Sequence, residues 1–448
     1  MKKMARLNVT AVSARERTHE GGPAQALDPY RQLRRSVLTC LLWEDTFYEA
    51  GSEIAQRIAE LVPRVEPERV AELAIEARDR LQLRHAPLFL VRELARRKGT
   101  GRLVEKALAR VIQRADELAE FLAIYWKDKR QPLAAGVKRG LAAAFEKFDE
   151  YRLAKYDRAN KVKLRDVLFL VHAKPKDEEQ AALWKRLVEG QLATPDTWEV
   201  ELSAGKDKKE TFERLLSEGK LGGLAVLRNL RNMQQAGVDE SLIRARLDQG
   251  IARALPFRFV TAAGHAPNLE DALEAAMLKA IEDLPALSGK TGLLVDVSGS
   301  MEAPLTRRSE ATRIDAAAAL AILLREKAEQ VAFATFSNQV AVIPPRRGFA
   351  LRDAIHQSQP HQGTYLRRAL EMLKDGGPET GWRDLDRVVV ITDEQSHDGI
   401  LPAFTKLAYV ANVAPYKNGV SYGEGWTHID GWSERVIDYI REVEADAA

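Results

Sequence analysis

The spacing of apolar residues divides the chain into two unlike parts. From Pro29 to about Leu284, apolar residues recur every three or four positions, as Val137, Leu141 and Phe145 do, which predicts helices with one apolar face each. Prolines stand near the ends of many of these predicted helices. A series of such helices needs neighbours that cover the apolar faces, so the pattern predicts stacked helix pairs in a solenoid.

Around residues 285–290 the pattern changes from helix to sheet. Beyond it, short apolar runs alternate with helical stretches, which predicts a doubly wound, mostly parallel sheet. We predict strands at 291–297, 330–336, 339–343, 387–392 and 407–413, and helices at 312–329, 351–358, 364–375 and 432–444. Residues 1–28 show no periodicity. The sequence therefore predicts a flexible tail at 1–28, a helical domain at 29–285 with a short linker at 285–290, and an α/β domain at 290–448.

Small oxygen-bearing side chains follow two of the predicted strands. Asp296, Ser298 and Ser300 come at the end of one strand, and Asp393 follows another; Thr364 lies just before a helix. Ligands bind beyond the carboxyl ends of such strands, and hard cations prefer oxygen ligands. The pattern predicts a site for Mg²⁺ or another divalent cation. The alternative is that these are turn and cap residues of an ordinary α/β sheet.

The pattern Asp-x-Ser-x-Ser, followed by a distant Thr and a distant Asp, resembles the metal-ion-dependent adhesion site of von Willebrand factor A domains. The resemblance implies that Ser298, Ser300 and Thr364 ligate Mg²⁺ directly. Asp296 and Asp393 would lie close by or act through water. One coordination position would then be free for a carboxylate from a partner.

Other features of the sequence argue against an enzyme. It contains no P-loop, zincin signature, paired-cysteine metal spacing or Gly-x-Ser-x-Gly elbow. We expect Arg313 and Asp315 to be surface and packing groups rather than chemical ones.

A single cysteine, Cys40, excludes an internal disulfide and fits a reducing cytoplasm, and we interpret it as a buried helix residue. No apolar run is long enough to predict a membrane span, so we expect a cytoplasmic protein.

The net charge of +3 conceals an uneven distribution. Residues 1–289 carry a net charge of +7 and residues 290–448 a net charge of −4. Within the first part, residues 127–176 hold 14 basic and 6 acidic side chains, a net charge of +8. Such a concentration in one segment favours a polyanionic partner.

Local motifs in the helical part resemble the TROVE module. The central ones are Leu153–Arg158 and Leu164–Pro175, followed in order by Gly223–Met233 and Leu255–Arg258. The stretch Ile429–Ile440 resembles the C-terminal end of the same proteins. From about residue 30 onward, the chain is therefore similar to the Ro ribonucleoprotein autoantigen family, here a bacterial member.

The resemblance implies a ring of HEAT-like helical repeats that is closed by the A domain. Members bind small non-coding Y RNAs on the basic outer surface and admit the 3′ ends of misfolded RNAs into the hole. The complex can tether a 3′-exoribonuclease, and the protein would be a monomer within it. The chain departs from the family pattern at Arg231, where the family commonly has Gly, and at Ala173, which replaces a frequent Pro or Leu.

The resemblance also implies RNA-binding residues. Lys155, Arg158 and His172 match positions that the family uses for Y RNA contact or that lie next to one. Further candidates are Lys161, Lys163, Arg165, Lys174 and Lys176. For His172 the alternative is a capping or core histidine. Tyr125 and Trp126 could stack unpaired bases, although a place in a helix core is the preferred interpretation.

These observations leave three functions open. The first is a non-catalytic RNA-binding scaffold that assists RNA quality control. The second is a metal-dependent protein-interaction module in which the helical half serves as a docking array. The third is a metal-dependent nuclease.

Overall fold

The structure is a computed structural model. It describes residues 17–23, 27–38, 50–157, 162–251, 254, 256–305, 309–376, 380–414, 416, 419–421, 423–431 and 436–447. Cys40 and two of the predicted RNA-binding residues, Arg158 and Lys161, lie outside the described residues.

The first half of the chain is helical. The helices are α1 (Pro29–Leu38), α2 (Gly51–Leu61), α3 (Pro67–Asp79), α4 (His85–Ala95), α5 (Gly101–Val111), α6 (Asp116–Tyr125), α7 (Ala135–Phe145), α8 (Glu150–Tyr156), α9 (Leu164–Val171), α10 (Glu178–Glu189), α11 (Trp198–Ser203), α12 (Lys208–Ser217), α13 (Gly223–Gln235), α14 (Glu240–Asp248), α15 (Pro256–His265) and α16 (Glu270–Ile281). The predicted apolar face of α7 is buried at Val137, Leu141 and Phe145. A β-carbon at Gly136 would overlap the backbone of Gly101, so this glycine permits the close approach of α5 and α7.

The second half, which we call the A-like half, contains a six-stranded sheet. Its strands are β1 (Leu287–Asp296), β2 (Ala328–Phe336), β3 (Val340–Val342), β4 (Arg387–Thr392), β5 (Leu407–Asn412) and β6 (Thr427–Asp430), and its helices are α17 (Arg313–Lys327), α18 (Gly348–His356), α19 (Leu366–Asp375) and α20 (Val436–Ala447). The strand order is β3-β2-β1-β4-β5-β6, and only β3 pairs antiparallel. The predicted fold class, a helical half followed by a doubly wound α/β half, is confirmed.

Both faces of the sheet are buried. Along β1, Leu293 and Val295 belong to one apolar cluster, and Leu294, between them, belongs to another. The first cluster continues into the helical half, where it includes Phe259 and Met277. The end of the helical half and the A-like half therefore share one hydrophobic core, which restricts their relative motion.

Both ends of the helical half contact the A-like half. At the beginning, Arg35 on α1 pairs with Glu394 just beyond β4. At the end, Glu274 on α16 accepts a hydrogen bond from the backbone N–H of Phe349 at 2.7 Å. Arg231, at which the chain departs from the family pattern, is exposed and lies 2.9 Å from Glu310 across the same junction. The described chain thus returns to its starting point through the A-like half.

Two local predictions were wrong. Strand β6, at Thr427–Asp430, was not predicted. Strand β1 begins at Leu287, so residues 287–290 of the predicted linker at 285–290 are strand. Residues 17–23, part of the predicted tail at 1–28, lie against the A-like half and bury Thr18.

Candidate metal centre and nucleic-acid interface

Four of the five predicted metal-site residues form one hydrogen-bonded cluster. Asp296 Oδ1 accepts from the backbone N–H of Ser298 at 2.9 Å, which shapes the turn after β1. The hydroxyls of Ser298 and Ser300 are 3.3 Å apart. The Ser300 hydroxyl donates to Asp393 Oδ2 at 2.6 Å. The cluster lies where the strand order reverses, between β1 and β4, and ligands bind at this position in such sheets.

Thr364, the fifth predicted residue, joins the cluster through its loop. The loop contacts the serine turn, because the backbone N–H of Gly299 donates to the carbonyl of Gln362 at 2.8 Å. Thr364 itself is buried, and its carbonyl accepts from the backbone N–H of His397 at 2.9 Å. The backbone therefore holds Thr364 beside the cluster.

Two buried carboxylates lie close together in the cluster. Asp296 and Asp393 are both fully buried. Burial, and after it the nearby Asp393 carboxylate, raises the pKa of Asp296 to about 7. A divalent cation would relieve this repulsion, and two carboxylates with neighbouring hydroxyls suit a hard ion such as Mg²⁺. Among the described residues no group of three or more His, Cys, Asp or Glu could hold a metal, so the hydroxyls would have to complete the ligand set.

Arg313, which we expected to be a surface or packing group, is not at the surface. Its side chain is buried, and Nη1 lies 3.2 Å from Asp393 Oδ2 and 3.4 Å from the carbonyl oxygen of Ser300. The residue opens α17, whose start is fixed by the Thr312 N-cap and the Asp315 side chain in a capping box. Which turn lies next to the start of a helix cannot be read from periodicity, which is why the sequence did not reveal this contact.

The N-terminal segment, residues 17–23, lies on the loop that follows β4. Thr18 Oγ1 donates to the carbonyl of Ser396 at 2.9 Å, and the backbone N–H of His19 donates to Gln395 Oε1 at 2.8 Å. His397, which contacts Thr364, lies 3.4 Å from Glu20. The segment therefore borders the candidate metal site, and no sequence signal indicated this.

A second buried polar cluster lies beside the first. Glu394 accepts from Arg35 and from Ser421, and its Oε2 lies 2.8 Å from His428 Nε2. Burial alone would raise the pKa of Glu394, but Arg35 and His428 outweigh it and hold that pKa far below its usual range. Burial alone would lower the pKa of His428, but Glu394 and Asp430 raise it to about 9. We call Arg35, Glu394, Ser421, His428 and Asp430 the Arg35 latch.

The predicted RNA-binding residues that the structure describes lie on α8, on α9 and in the connections on either side of α9. Lys163, Arg165, His172 and Lys174 are exposed, and Lys155 is half-buried. His172 ends α9 in a left-handed backbone conformation, with φ at 54°. It is therefore the C-cap of α9, in line with the capping alternative, but its side chain still faces solvent.

A cavity of about 550 Å³ opens beside α9. Its lining includes Trp126, Arg130, Lys138, Phe169 and His172. Phe169 is 60% exposed, and the Arg130 guanidinium stands 5.2 Å from the centre of the Trp126 ring. Sequence reasoning missed Phe169, although an apolar side chain on the polar side of α9 was a visible signal.

Tyr125 and Trp126 divide between the two predicted roles. Tyr125 is buried in the helical core, as preferred. Trp126 is half-buried and lines the cavity, while its Nε1 donates to the carbonyl of Gln131 at 2.8 Å. A place in the helix core is therefore only part of its role.

Comparison with known proteins supports the predicted family. The family model described as TROVE domain matches residues 185–361. Over 91 residues, or 19% of this chain, the chain is 36% identical to telomerase protein component 1 of Mus musculus and 35% identical to that of Rattus norvegicus. The match spans 4% of the length of these two relatives.

A solved structure matches nearly the whole chain. It is the crystal structure of the Deinococcus radiodurans RO (RSR) protein, with a TM-score of 0.59 and 19% sequence identity. The match covers 93% of this chain and 100% of that chain. The chain thus has the fold of that RO protein and contains a TROVE match, and the predicted Ro family is supported.

Proposed function

We propose that this chain, with its TROVE match and the fold of an RO protein, is a non-catalytic RNA-binding component of a ribonucleoprotein. The observation that supports the proposal most is the placement of large exposed aromatic rings in the most basic segment. Tyr151 is 53% exposed and Phe169 60% exposed, and both lie within residues 127–176. Exposed aromatics stack on unpaired bases, and neighbouring cations neutralise phosphates.

The cavity beside Phe169 suits an unpaired nucleobase. Phe169 and Trp126 supply aromatic surface, and Lys138 and Arg130 supply positive charge at its rim. Sequence-specific recognition of RNA mostly uses such splayed bases from loops, bulges and ends. The substrate would then be a structured RNA with single-stranded elements.

The finer proposals follow from the Ro family. The structured RNA would be a Y RNA, and the 3′ ends of misfolded RNAs would enter the ring. A 3′-exoribonuclease would be the protein partner in RNA quality control, in the cytoplasm, with this protein as a monomer. None of the described helices is long and apolar enough to cross a bilayer.

If 3′ ends enter the ring, RNAs that differ only in a 3′ single-stranded tail should differ sharply in affinity. Equal binding of tailed and blunt RNAs would argue against entry into the ring.

The test of RNA binding uses two kinds of variant in a gel-shift titration against a stem-loop RNA with a 3′ tail. Phe169→Ala should lower affinity by about 1–3 kcal/mol, the usual value of one base stack, and leave the salt dependence unchanged. Lys163→Ala with Lys174→Ala should lower affinity and also reduce the steepness of its salt dependence.

Matched controls come from the A-like half. Met372→Ala removes an apolar side chain that is 51% exposed, and Lys374→Ala removes an exposed lysine on the same helix. Both should bind RNA like the wild type. If all four variants changed affinity equally, RNA would not be held at this surface and the proposal would fail.

A metal-dependent contact with a partner protein is the second candidate function. The cluster of Asp296, Ser298, Ser300 and Asp393 favours it, since the donors fit Mg²⁺ and an open coordination position would accept a partner's carboxylate. We expect this metal to be dispensable for RNA binding, because it lies in the acidic half. Asp296→Asn should bind RNA with unchanged affinity, with or without chelator, and a large loss in the folded variant would place the metal in the RNA site.

A further inference from the structure

Arg313 brings a positive charge into the centre of the candidate metal site. Its side chain is 2% exposed, and Asp393 is 0% exposed. The backbone N–H of Arg313 donates to the carbonyl of Ala303 at 3.0 Å, so the beginning of α17 is tied to the end of the serine turn. The beginning of the helix that carries this guanidinium is therefore fixed beside the serine turn.

The same carboxylate oxygen serves two donors. Asp393 Oδ2 accepts from Ser300 Oγ at 2.6 Å and from Arg313 Nη1 at 3.2 Å. Arg313 Nη1 also lies 3.4 Å from the carbonyl of Ser300. A buried carboxylate needs a positive partner or several hydrogen bonds, and Asp393 has a cation and a hydroxyl within the protein.

A metal ion bound by the serine hydroxyls would lie next to this guanidinium. Ser300 donates its proton to Asp393, so its oxygen lone pairs remain for a cation, but that cation would sit beside a buried positive charge. Repulsion between like charges is strong where water is excluded. A divalent ion and the Arg313 guanidinium would therefore compete for the negative charge of Asp393.

We propose that Arg313 acts as a built-in cation of this site, which stabilises Asp393 without metal and lowers the affinity of the site for divalent ions. The inference rests on the proposed metal site and concerns its affinity. It makes the site in this chain a weak, readily emptied one, whose occupancy would follow the divalent concentration. The wild-type fold should accordingly be stable when no metal is bound.

The experiment compares Mn²⁺ binding by the full chain and its variants in calorimetric titration. Arg313→Gln removes the charge and keeps a hydrogen-bonding side chain, so its affinity for Mn²⁺ should rise by about tenfold or more, as loss of a competing charged hydrogen bond predicts. Arg313→Lys keeps the charge and should bind like the wild type. Arg325→Gln, near the other end of α17, changes the net charge equally and should have no effect.

Thermal unfolding provides a second readout, and its wild-type measurement does not depend on the folding of a variant. The melting temperature of the wild type should be nearly the same in chelator and in Mn²⁺, and that of Arg313→Gln should rise on addition of Mn²⁺. Equal Mn²⁺ affinity of the wild type and Arg313→Gln would overturn the proposed role of Arg313 but not the proposed metal site. A wild type that melts much earlier in chelator would also overturn it. No Mn²⁺ binding by any form would overturn the proposed metal site together with this inference.

Discussion

The Arg35 latch should hold the first helix of the chain to the A-like half. Arg35 is 1% exposed and Glu394 is 0% exposed, although they stand 359 residues apart. Replacing Arg35 by Met keeps much of its volume and removes the charge, which leaves the Glu394 carboxylate buried with one cationic partner fewer. Loss of one member of a buried ion pair typically costs about 3–5 kcal/mol. His428 still faces Glu394, so we expect the lower end of this range.

Hydrogen exchange of the α1 backbone measures this cost directly, since local opening determines the exchange rate of protected amides. A loss of about 3 kcal/mol corresponds to exchange that is roughly a hundredfold faster or more. The control is Arg31→Met on the same helix, because Arg31 forms an exposed pair with Asp28 at 3.4 Å. Such exposed pairs contribute about 0–1 kcal/mol, so this variant should exchange nearly like the wild type.

The double variant Arg35→Met with Glu394→Gln tests whether the effect comes from the stranded charge. With both charges removed, most of the lost protection should return, as in a double-mutant cycle of a coupled pair. The reasoning is refuted if Arg35→Met exchanges no faster than Arg31→Met. It is also refuted if the double variant is destabilised by the sum of the two single effects.

Two other predictions follow from the same side of the molecule. The pKa of His428, which faces Glu394, Asp430 and Arg35, is raised to about 9. Its contribution to stability is therefore complete below about pH 6.5 and is lost as the pH rises through about 9. Urea unfolding from pH 6 to 10 should show this loss, and His428→Gln should remove that part of the pH dependence. A β-carbon at Gly22 would overlap the carbonyl oxygen of Ser396, so Gly22→Ala should release residues 17–23 and speed tryptic cleavage after Arg17. Gly101→Ala, where the space is open, should leave this cleavage unchanged. Equal cleavage in both variants would contradict the docking of residues 17–23 on the A-like half.

The sequence alone was sufficient for the architecture because its signals are local. Apolar residues at helical spacing mark the face that α7 buries, and the apolar run of β1 marks a strand covered on both sides. Both signals depend on neighbours a few positions apart. Short or irregular elements carry little of this signal, so the four residues of β6 were missed.

The candidate metal cluster was partly accessible for a similar reason. Parallel strands end at one edge of a sheet, so residues that follow β1 and β4 come together irrespective of the loop conformations. Asp296, Ser298, Ser300 and Asp393 are accordingly joined by hydrogen bonds. Their role as metal ligands stays a prediction, as do the RNA contacts.

Only the tertiary structure decided which charges meet inside the protein. Arg313 reaches Asp393 because the serine turn and the start of α17 are tied together, and Arg35 reaches Glu394 because the two ends of the helical half converge on the A-like half. The docking of residues 17–23 depends on the same convergence. Such contacts join residues far apart in the chain, and their partners are set by the path of the whole backbone, which no local spacing of residues records.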